Sequence, residues 1–463
     1  MKKLFLFLFL LIPLPFASSS QYFFNAASPL EEGWKYVGNP NFSDGTVSDP
    51  HLAFSPAGEP YVAFIDGAAN SHATVMRFNG SSWVFVGNQG FTNNLVDALG
   101  FAISPAGEPT VAFTDPEYDL KTTAMKFNGT DWVIIGEPGF SPGVSDEISI
   151  AYGKDGILWI AFRDYGTGKS ATVMKYDGTG WTMAGIRGFT NGHAEYISLG
   201  VNPSAEPWVA YEDINNSQKA SVMRFDGTNW SYVGVAGFST ATAHYVNLSF
   251  GPSGIPYVAY GDDAVSHKVT VKQFDGSAWI SVGQDGFSTL DPFDISLAIS
   301  SLGDPWVAYS TSDYYPYHGK GSVMQYNGSD WVYVGPQAFT STGIYNSELV
   351  FSPADVPYLA YIEYNVESRL SVMRYSPGLG MNEHSENRIL IYPNPAIDFI
   401  YMITDNALSN NNVSILSIDS RELIYQPASP CKQMIDVTSL PAGVYFVKNE
   451  WNGTVWWGKF VKY

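Results

Sequence analysis

Carboxylates recur along the chain at nearly regular intervals, each just before a short apolar segment. A ring of such groups would attract cations or amines, and a pair such as Asp146 and Glu195 has the chemistry to cleave a glycosidic bond. Acidic residues are also common at strand ends simply because their charged groups are solvated there. The sequence favours this interpretation over a functional ring of acids. The seven acids are Asp49, Asp97, Asp146, Glu147, Glu195, Asp294 and Glu348.

Aromatic side chains are concentrated in one polar segment, residues 311–320. It contains Tyr314, Tyr315, Tyr317 and His318. Exposed tyrosines stack on sugars and anchor protein partners, because they offer a large contact area and a hydroxyl group. The same rings can instead pack within their own loop. The sequence gives these two interpretations equal weight.

A repeat predicts the elements that position these residues. Seven tryptophans follow one another at intervals of 49 residues, except for a last interval of 52. Each repeat contains four short apolar segments separated by turn residues, such as the Asn128-Gly129 hairpin signal. Four short antiparallel strands in such a period are typical of a propeller blade. The tryptophans are Trp34, Trp83, Trp132, Trp181, Trp230, Trp279 and Trp331.

The repeat therefore predicts an all-β fold, a seven-bladed β-propeller over residues 21–375. Its seventh blade has only three strands of its own, and an extra strand at residues 34–38 precedes the first blade. We expect this N-terminal strand to complete blade seven and close the ring, which removes exposed sheet edges. Inner strands are expected to begin near Leu52, Phe101, Ile150, Leu199, Leu248, Leu297 and Leu349.

A second set of acids ends the second strand of most blades and is expected to be structural. In a simple hairpin register each acid faces a hydroxyl residue, as Asp66 faces Thr74, and the two would hydrogen-bond across the strands. One carboxylate per blade cannot supply the six to eight oxygen ligands of Ca²⁺, so a ring of metal sites is not expected. The set is Asp66, Asp115, Asp164, Asp213, Asp262, Thr311 and Glu363.

Composition and the N-terminus predict an exported protein. Residues 1–20 combine Lys2 and Lys3 with a short apolar run and small residues, which is typical of a signal peptide. No other segment is apolar enough to span a membrane. The 44 acidic and 24 basic residues argue against a nucleic-acid partner. The single cysteine permits no internal disulfide. The seven histidines lack metal-ligand spacing, so we do not expect a bound metal. We also expect no other cofactor and a monomeric chain.

The C-terminal segment carries several motifs in a fixed order. After a linker at residues 376–388 come Tyr392, Pro393, Asn394 and Pro395, then Leu440, Pro441, Ala442 and Gly443, and finally Lys459 and Lys462. Residues 389–463 resemble the C-terminal sorting domain of the type IX (Por) secretion system of Bacteroidetes-type bacteria. The resemblance implies recognition by the type IX secretion machinery and export through the periplasm to the outer cell surface or the medium. Alternating strand patterns predict a small Ig-like β-sandwich here.

The sequence favours a binding or adhesion protein over an enzyme, with a glycan or a protein as its ligand. The blades are nearly identical, and an enzyme is expected to break the repeat symmetry at its site. The main break is the aromatic insertion at residues 311–320, and no catalytic set is recognised. Two alternatives stay open, namely a polysaccharide hydrolase or lyase at the acidic channel mouth and a structural surface spacer.

Overall fold

Seven four-stranded antiparallel sheets follow one another along the chain in a computed structural model of the protein. The chain divides into two compact units, residues 1–378 and 379–463. The structure describes residues 33–289, 291–312, 318–364, 367–376, 390–392, 396–403, 412–417, 421–427, 432–451 and 454–462. The predicted signal peptide, most of the predicted linker and Cys431 lie outside the described residues.

Each sheet is one propeller blade, in which four consecutive strands run from the inside of the ring outward. Blades one to three consist of Val47–Phe54, Pro60–Asp66, His72–Phe78 and Trp83–Phe85; Leu99–Ile103, Pro109–Asp115, Lys121–Phe127 and Trp132–Ile134; and Ser145–Tyr152, Leu158–Asp164, Ser170–Tyr176 and Trp181–Met183. Blades four to six consist of Ala194–Val201, Pro207–Asp213, Lys219–Phe225 and Trp230–Tyr232; Ala243–Phe250, Pro256–Asp262, Lys268–Phe274 and Trp279–Ser281; and Pro292–Ile299, Pro305–Ser312, His318–Tyr326 and Trp331–Tyr333.

Blade seven closes the ring with strands from both ends of the unit. Its strands Ile344–Phe351, Pro357–Glu363 and Arg369–Ser376 are completed by Gly33–Tyr36, the fourth strand. Trp34 lies opposite Tyr375 in this antiparallel pair. Buried apolar side chains of blades one and seven also share one core cluster, which includes Leu52 and Tyr358. The predicted seven-bladed propeller with an N-terminal closing strand is confirmed.

The repeated tryptophans link each blade to the next. Every indole N–H donates a hydrogen bond of 2.7–2.9 Å to a backbone carbonyl of the preceding blade's outer edge. Every indole also stacks on a phenylalanine, with ring centroids 3.7–5.0 Å apart. A glycine with positive φ packs against each ring, and a Cβ at Gly136 would lie only 2.8 Å from Trp181. The Trp repeat is therefore the joint between blades.

The inner strands begin earlier than the sequence predicts. They start five residues before the expected position in six blades and two residues before it in blade two, for example at Val47 and Leu99. A β-bulge interrupts the pairing of inner and second strands in six blades. The bulge breaks the alternation of side chains, and the apolar pattern therefore becomes recognisable only after it.

The second set of acids is structural, although its register differs from the predicted one. Asp66 lies opposite His72, two residues from Thr74, yet the Thr74 hydroxyl reaches the carboxylate diagonally. Six blades repeat this acid–hydroxyl bond at 2.8–3.2 Å. In most blades the same carboxylate caps a short 3₁₀ helix. The five 3₁₀ helices are Gly67–Ala69, Pro116–Tyr118, Tyr165–Thr167, Ile214–Asn216 and Asp263–Val265.

The C-terminal unit is a two-sheet β-sandwich. Ile391, Ile400 and Ile435 of one sheet and Val447 and Phe460 of the other are buried in a shared core. The first sheet contains Leu390–Tyr392, Phe399–Ile403 and Lys432–Asp436. The second contains Glu422–Pro427, Asn412–Ser417, Gly443–Trp451 and Thr454–Lys462.

Replacing Trp34 by phenylalanine is expected to lower the free energy of unfolding of the whole propeller by about 1–3 kcal/mol, because the Val334 carbonyl is left buried without its donor. The measurement is chemical denaturation followed by tryptophan fluorescence. Trp331→Phe removes the equivalent bond, to Val282, inside the ring and serves as the matched control. If Trp331→Phe lowers the free energy of unfolding and Trp34→Phe does not, the N-terminal strand does not close the ring.

Candidate functional site

The mouth of the central channel is formed where the inner strands begin. The strands line a cavity of about 710 Å³, to which Asp49, Tyr196, Tyr245 and Asp294 contribute. Five bulge residues have left-handed φ values between 45° and 56°, which is costly for residues other than glycine. β-bulges redirect side chains next to functional sites, and backbone strain of this kind often accompanies binding sites. The five are Asp49, Glu147, Tyr196, Tyr245 and Asn346.

Six of the seven predicted mouth acids lie within the inner strands, and Asp97 alone precedes its strand and is exposed. Several of these acids accept hydrogen bonds from backbone amides of the neighbouring blade. Asp49 accepts a hydrogen bond from the Leu99 amide at 2.7 Å, and Glu348 accepts one from the Leu52 amide at 2.6 Å. Asp294 accepts from the amides of Ser310 and Ser347. The interpretation of these acids as merely solvated strand ends is therefore wrong for Asp49, Asp294 and Glu348.

His51 lies between two of these connecting acids. Its imidazole is 3.5 Å from Asp49 and 3.6 Å from Glu348, and it also contacts the Leu99 carbonyl at 2.8 Å. Burial opposes protonation of the ring, but the two carboxylates outweigh it and raise the pKa of His51 well above its usual value. This group joins blades seven, one and two and is structural.

Asp146, Glu147 and Glu195 belong to a different arrangement, which surrounds Arg163. Its guanidinium makes two bonds of 2.7 Å to Asp146. It also lies 2.6 Å from Glu147 and 3.5 Å from Glu195, and Glu195 lies 3.1 Å from the ring of His193. Glu212 is buried opposite Glu195. We term these residues, Asp146, Glu147, Arg163, His193, Glu195 and Glu212, the charged arc.

The charged arc marks a break in repeat symmetry that sequence reasoning missed. The next-to-last residue of the second strand differs in almost every blade, whereas the flanking residues recur. Arg163 and Glu212 occupy this position in blades three and four. Aligning the seven repeats column by column would have revealed it. Around the ring the position holds Ile65, Thr114, Arg163, Glu212, Gly261, Ser310 and Ile362.

Burial makes the arc a proton-exchanging site near neutral pH. It raises the pKa of Glu147 to about 7, with Arg163 opposing the shift and Asp146 adding to it. It also raises the pKa of Glu212 to about 7, and the charge of Glu195 adds to this. Burial lowers the pKa of His193. The hydrogen bonds that Arg163 donates to Asp146 raise the pKa of Arg163, which stays charged.

Tyrosines border the arc on the exposed side. Tyr165 is 43% exposed, donates to Asp146 at 2.9 Å and lies under the Arg163 guanidinium. Tyr196 is 37% exposed. It lies 5.2 Å from Tyr245, measured between ring centroids. The mouth of blades three to five therefore combines acids, one arginine and accessible aromatic rings.

The predicted aromatic insertion is only partly described. Tyr314, Tyr315 and Tyr317 lie outside the described residues, and His318 begins a strand with its backbone opposite Ser312. Pro393, Asn394 and Pro395 of the sorting motif also lie outside them, and Tyr392 ends a strand. Leu440 is buried, and the Tyr445 hydroxyl donates to the Pro441 carbonyl at 2.7 Å. Ala442 is exposed, Gly443 begins a strand, Lys459 is exposed and Lys462 is buried.

Residues 390–463 match the family model described as "Secretion system C-terminal sorting domain". This confirms the resemblance given by the sorting motif. The chain therefore carries the tail of proteins that type IX secretion exports to the cell surface or beyond it. Within the described residues, no helix has the length and apolarity needed to cross a bilayer. A search of curated sequences finds no significant relative.

Solved structures similar to this chain are remote. PorZ, a surface component of the type IX secretion system of Porphyromonas gingivalis, is 15% identical over 89% of this chain, which spans 59% of PorZ (TM-score 0.46). An ulvan lyase is 12% identical, with 73% of this chain and 95% of the lyase covered (TM-score 0.48). A lectin of Aleuria aurantia is 17% identical, with 65% and 99% covered (TM-score 0.42). Similarities this distant carry no argument about ligand or reaction.

Replacing Glu212 by glutamine is expected to stabilise the propeller at about pH 8 and to change nothing at about pH 4. The pKa of this carboxyl is about 7 when folded and 4.5 in an ordinary environment. As the pH rises between these values, the unfolded chain loses its proton first, and the free energy of unfolding falls. Glutamine does not titrate, so the gain at pH 8 approaches about 3 kcal/mol.

Thermal melts across this pH range measure the effect. Glu137→Gln removes an exposed carboxyl and is the control, with little change expected at any pH. An equal gain in stability from Glu212→Gln at about pH 4 and about pH 8 would show that ionisation of Glu212 does not destabilise the folded propeller.

Proposed function

We propose that the protein is a non-catalytic surface receptor that binds a glycan at the charged arc. Type IX export places it outside the outer membrane, where it can meet extracellular glycans. The supporting observation is the break in repeat symmetry at Arg163 and Glu212, which lie opposite Asp146 and Glu195 at the start of the inner strands. A purely structural propeller would have no reason to place the charged residues Arg163 and Glu212 at a position that is uncharged in the other five blades.

The chemistry of the arc suits a neutral or amine-bearing sugar. Carboxylates accept hydrogen bonds from sugar hydroxyls, and the tyrosine rings at residues 165, 196 and 245 offer faces for the apolar side of a pyranose. Four acids against Arg163 and a weakly basic His193 leave a negative surplus. Because Arg163 is already bound by Asp146 and Glu147, it is not free for an acidic sugar. Uronic and sulfated glycans are therefore disfavoured.

Loss of the aromatic faces is expected to weaken glycan binding by about 5- to 150-fold. Two aromatic contacts together contribute roughly 1–3 kcal/mol. Tyr196→Asn with Tyr245→Asn is the variant of choice, because asparagine tolerates the left-handed backbone of both positions. A glycan array of the full-length chain identifies the ligand, and calorimetry compares the variants.

Tyr425→Asn is the matched control, since Tyr425 is 60% exposed and lies in the C-terminal unit. It is expected to bind like the parent protein. Unchanged affinity of the double variant, or binding restricted to acidic glycans, would contradict the proposed site.

The second candidate function is cleavage of a polysaccharide at the same mouth. It is favoured by Glu147 and Glu212, since carboxyls with pKa values of about 7 suit general acid and base roles at neutral pH. Assays for new reducing ends and for unsaturated products, over a panel of polysaccharides, separate the two candidates. Turnover by the full-length chain would favour the enzyme, and binding without turnover would favour the receptor.

Two further interpretations from the sequence stay predictions. The aromatic insertion with Tyr314, Tyr315, Tyr317 and His318 is a second proposed ligand contact, for a glycan or a protein. The interpretation as a structural spacer requires that no ligand binds at the aromatic insertion or at the charged arc. Both are decided by the same array and calorimetry.

Deleting residues 390–463 is expected to retain the propeller in the periplasm, because these residues form the sorting domain. Cell fractionation with an antibody against the propeller measures its location. The positive control is a periplasmic reporter fused to residues 390–463, which is expected to leave the cell. Normal amounts of the truncated protein on the surface or in the medium would contradict a role of this unit in export.

A further inference from the structure

Two histidines and an aspartate converge at the mouth of blade five. His244 is the second residue of the inner strand, Asp263 begins the 3₁₀ helix after the second strand, and His267 follows that helix. Their potential ligand atoms all lie within 4.8 Å of one another. The Nδ1 atom of His267 is 2.8 Å from Asp263, and the Nε2 atom of His244 is 3.7 Å from it. The imidazoles stack at 4.5 Å with an angle of 29°.

The local backbone brings His267 into this position. Residue 267 has a left-handed φ of 62°, which turns the chain back over the second strand. The strand residue beneath it is Gly261, where a Cβ would lie 3.5 Å from the imidazole. Apart from Gly261, that column of the repeat holds larger residues, such as Thr114 and Ile362. Blade five therefore has room for the ring of His267 above its second strand.

A buried carboxylate completes the arrangement behind His244. The Oε2 atom of Glu212 has no hydrogen-bond partner among the described residues. It lies 3.6 Å from the Nδ1 atom of His244, and Glu212 is only 1% exposed. A metal-bound histidine usually gives its second N–H to a carboxylate, which fixes the tautomer and orients the ring. Glu212 occupies the place of such a carboxylate, while Nε2 of His244 faces Asp263.

We propose that His244, Asp263 and His267 bind a zinc ion, with Glu212 as the outer-sphere partner of His244. Two imidazoles and one carboxylate form a ligand set that zinc readily accepts, and they leave the fourth tetrahedral position open. Ligands of one tetrahedral zinc lie roughly 3.4 Å apart, so side-chain rotations of about 1 Å close the site.

The proposed zinc ligands lie close to the tyrosines that border the charged arc. Tyr245 lies between the two regions, 6.5 Å from His267 and 5.2 Å from Tyr196, measured between ring centroids. A water or a sugar hydroxyl would fill the fourth position. The zinc site itself does not depend on the proposed glycan receptor, because its ligands and Glu212 are defined without a glycan.

Calorimetric titration of the full-length, chelator-treated chain with zinc chloride tests the proposal. One zinc per chain is expected. The variant His244→Gln with His267→Gln is expected to weaken binding by more than about 100-fold, and Glu212→Gln by about 10–100-fold. Cobalt(II) in place of zinc is expected to show the visible absorption of a tetrahedral site in the parent protein and not in the double variant.

The control is His72→Gln, which changes a histidine of blade one that contacts the Thr92 carbonyl. It is expected to bind zinc like the parent. Melting temperatures in chelator establish that each variant is folded. If the double variant misfolds, Gly261→Thr replaces it, since the added side chain displaces His267 without removing a ligand. Failure of the parent to bind zinc, or equal binding by the parent and the folded variants, would overturn the proposal.

Discussion

The indole hydrogen bond between neighbouring blades is the interaction on which the rest of the structure depends. Each tryptophan satisfies a carbonyl of the blade before it, stacks on a phenylalanine and packs on a glycine. An antiparallel sheet of four strands has two unsatisfied edges and two faces to cover. This joint occurs seven times around the ring, and Trp34 supplies it where the ring closes. Every blade face is therefore covered by a neighbouring blade.

A ring held in this way can tolerate irregular residues at its mouth. The joints lie on the outer strands, whereas the bulges, the charged arc and the zinc ligands lie at the start of the inner strands and at the end of the second strands. Costly features such as the left-handed backbone of Tyr196 and the buried carboxyl of Glu212 therefore do not disturb blade packing. Strain and buried charge at the mouth are balanced by apolar cores between the blades.

The sequence predicts the repeat well and the site poorly, for physical reasons. Tryptophan spacing and Asn-Gly turns are local signals that predict the blades and the closing strand, and the ordered motifs from Tyr392 to Lys462 predict the sorting domain. The start of the inner strands is hidden because a bulge breaks the alternation on which strand prediction depends. Arg163 and Glu212 stand out only when the repeats are aligned column by column, and their contacts with Glu195 and His244 cross from one blade to the next. The absence of metal-ligand spacing is equally uninformative, since His267 meets His244 only through the turn after blade five's second strand.

The account's central claim is that the chain binds its ligand at the irregular mouth of blades three to five. Hydrogen–deuterium exchange of the full-length chain, with and without a glycan selected on the array, tests this most directly. We predict protection in segments 144–147, 193–197 and 243–247, which carry Asp146, Glu147, His193, Glu195, Tyr196 and Tyr245. Protection confined to residues 311–320, or none in the propeller, would contradict the claim.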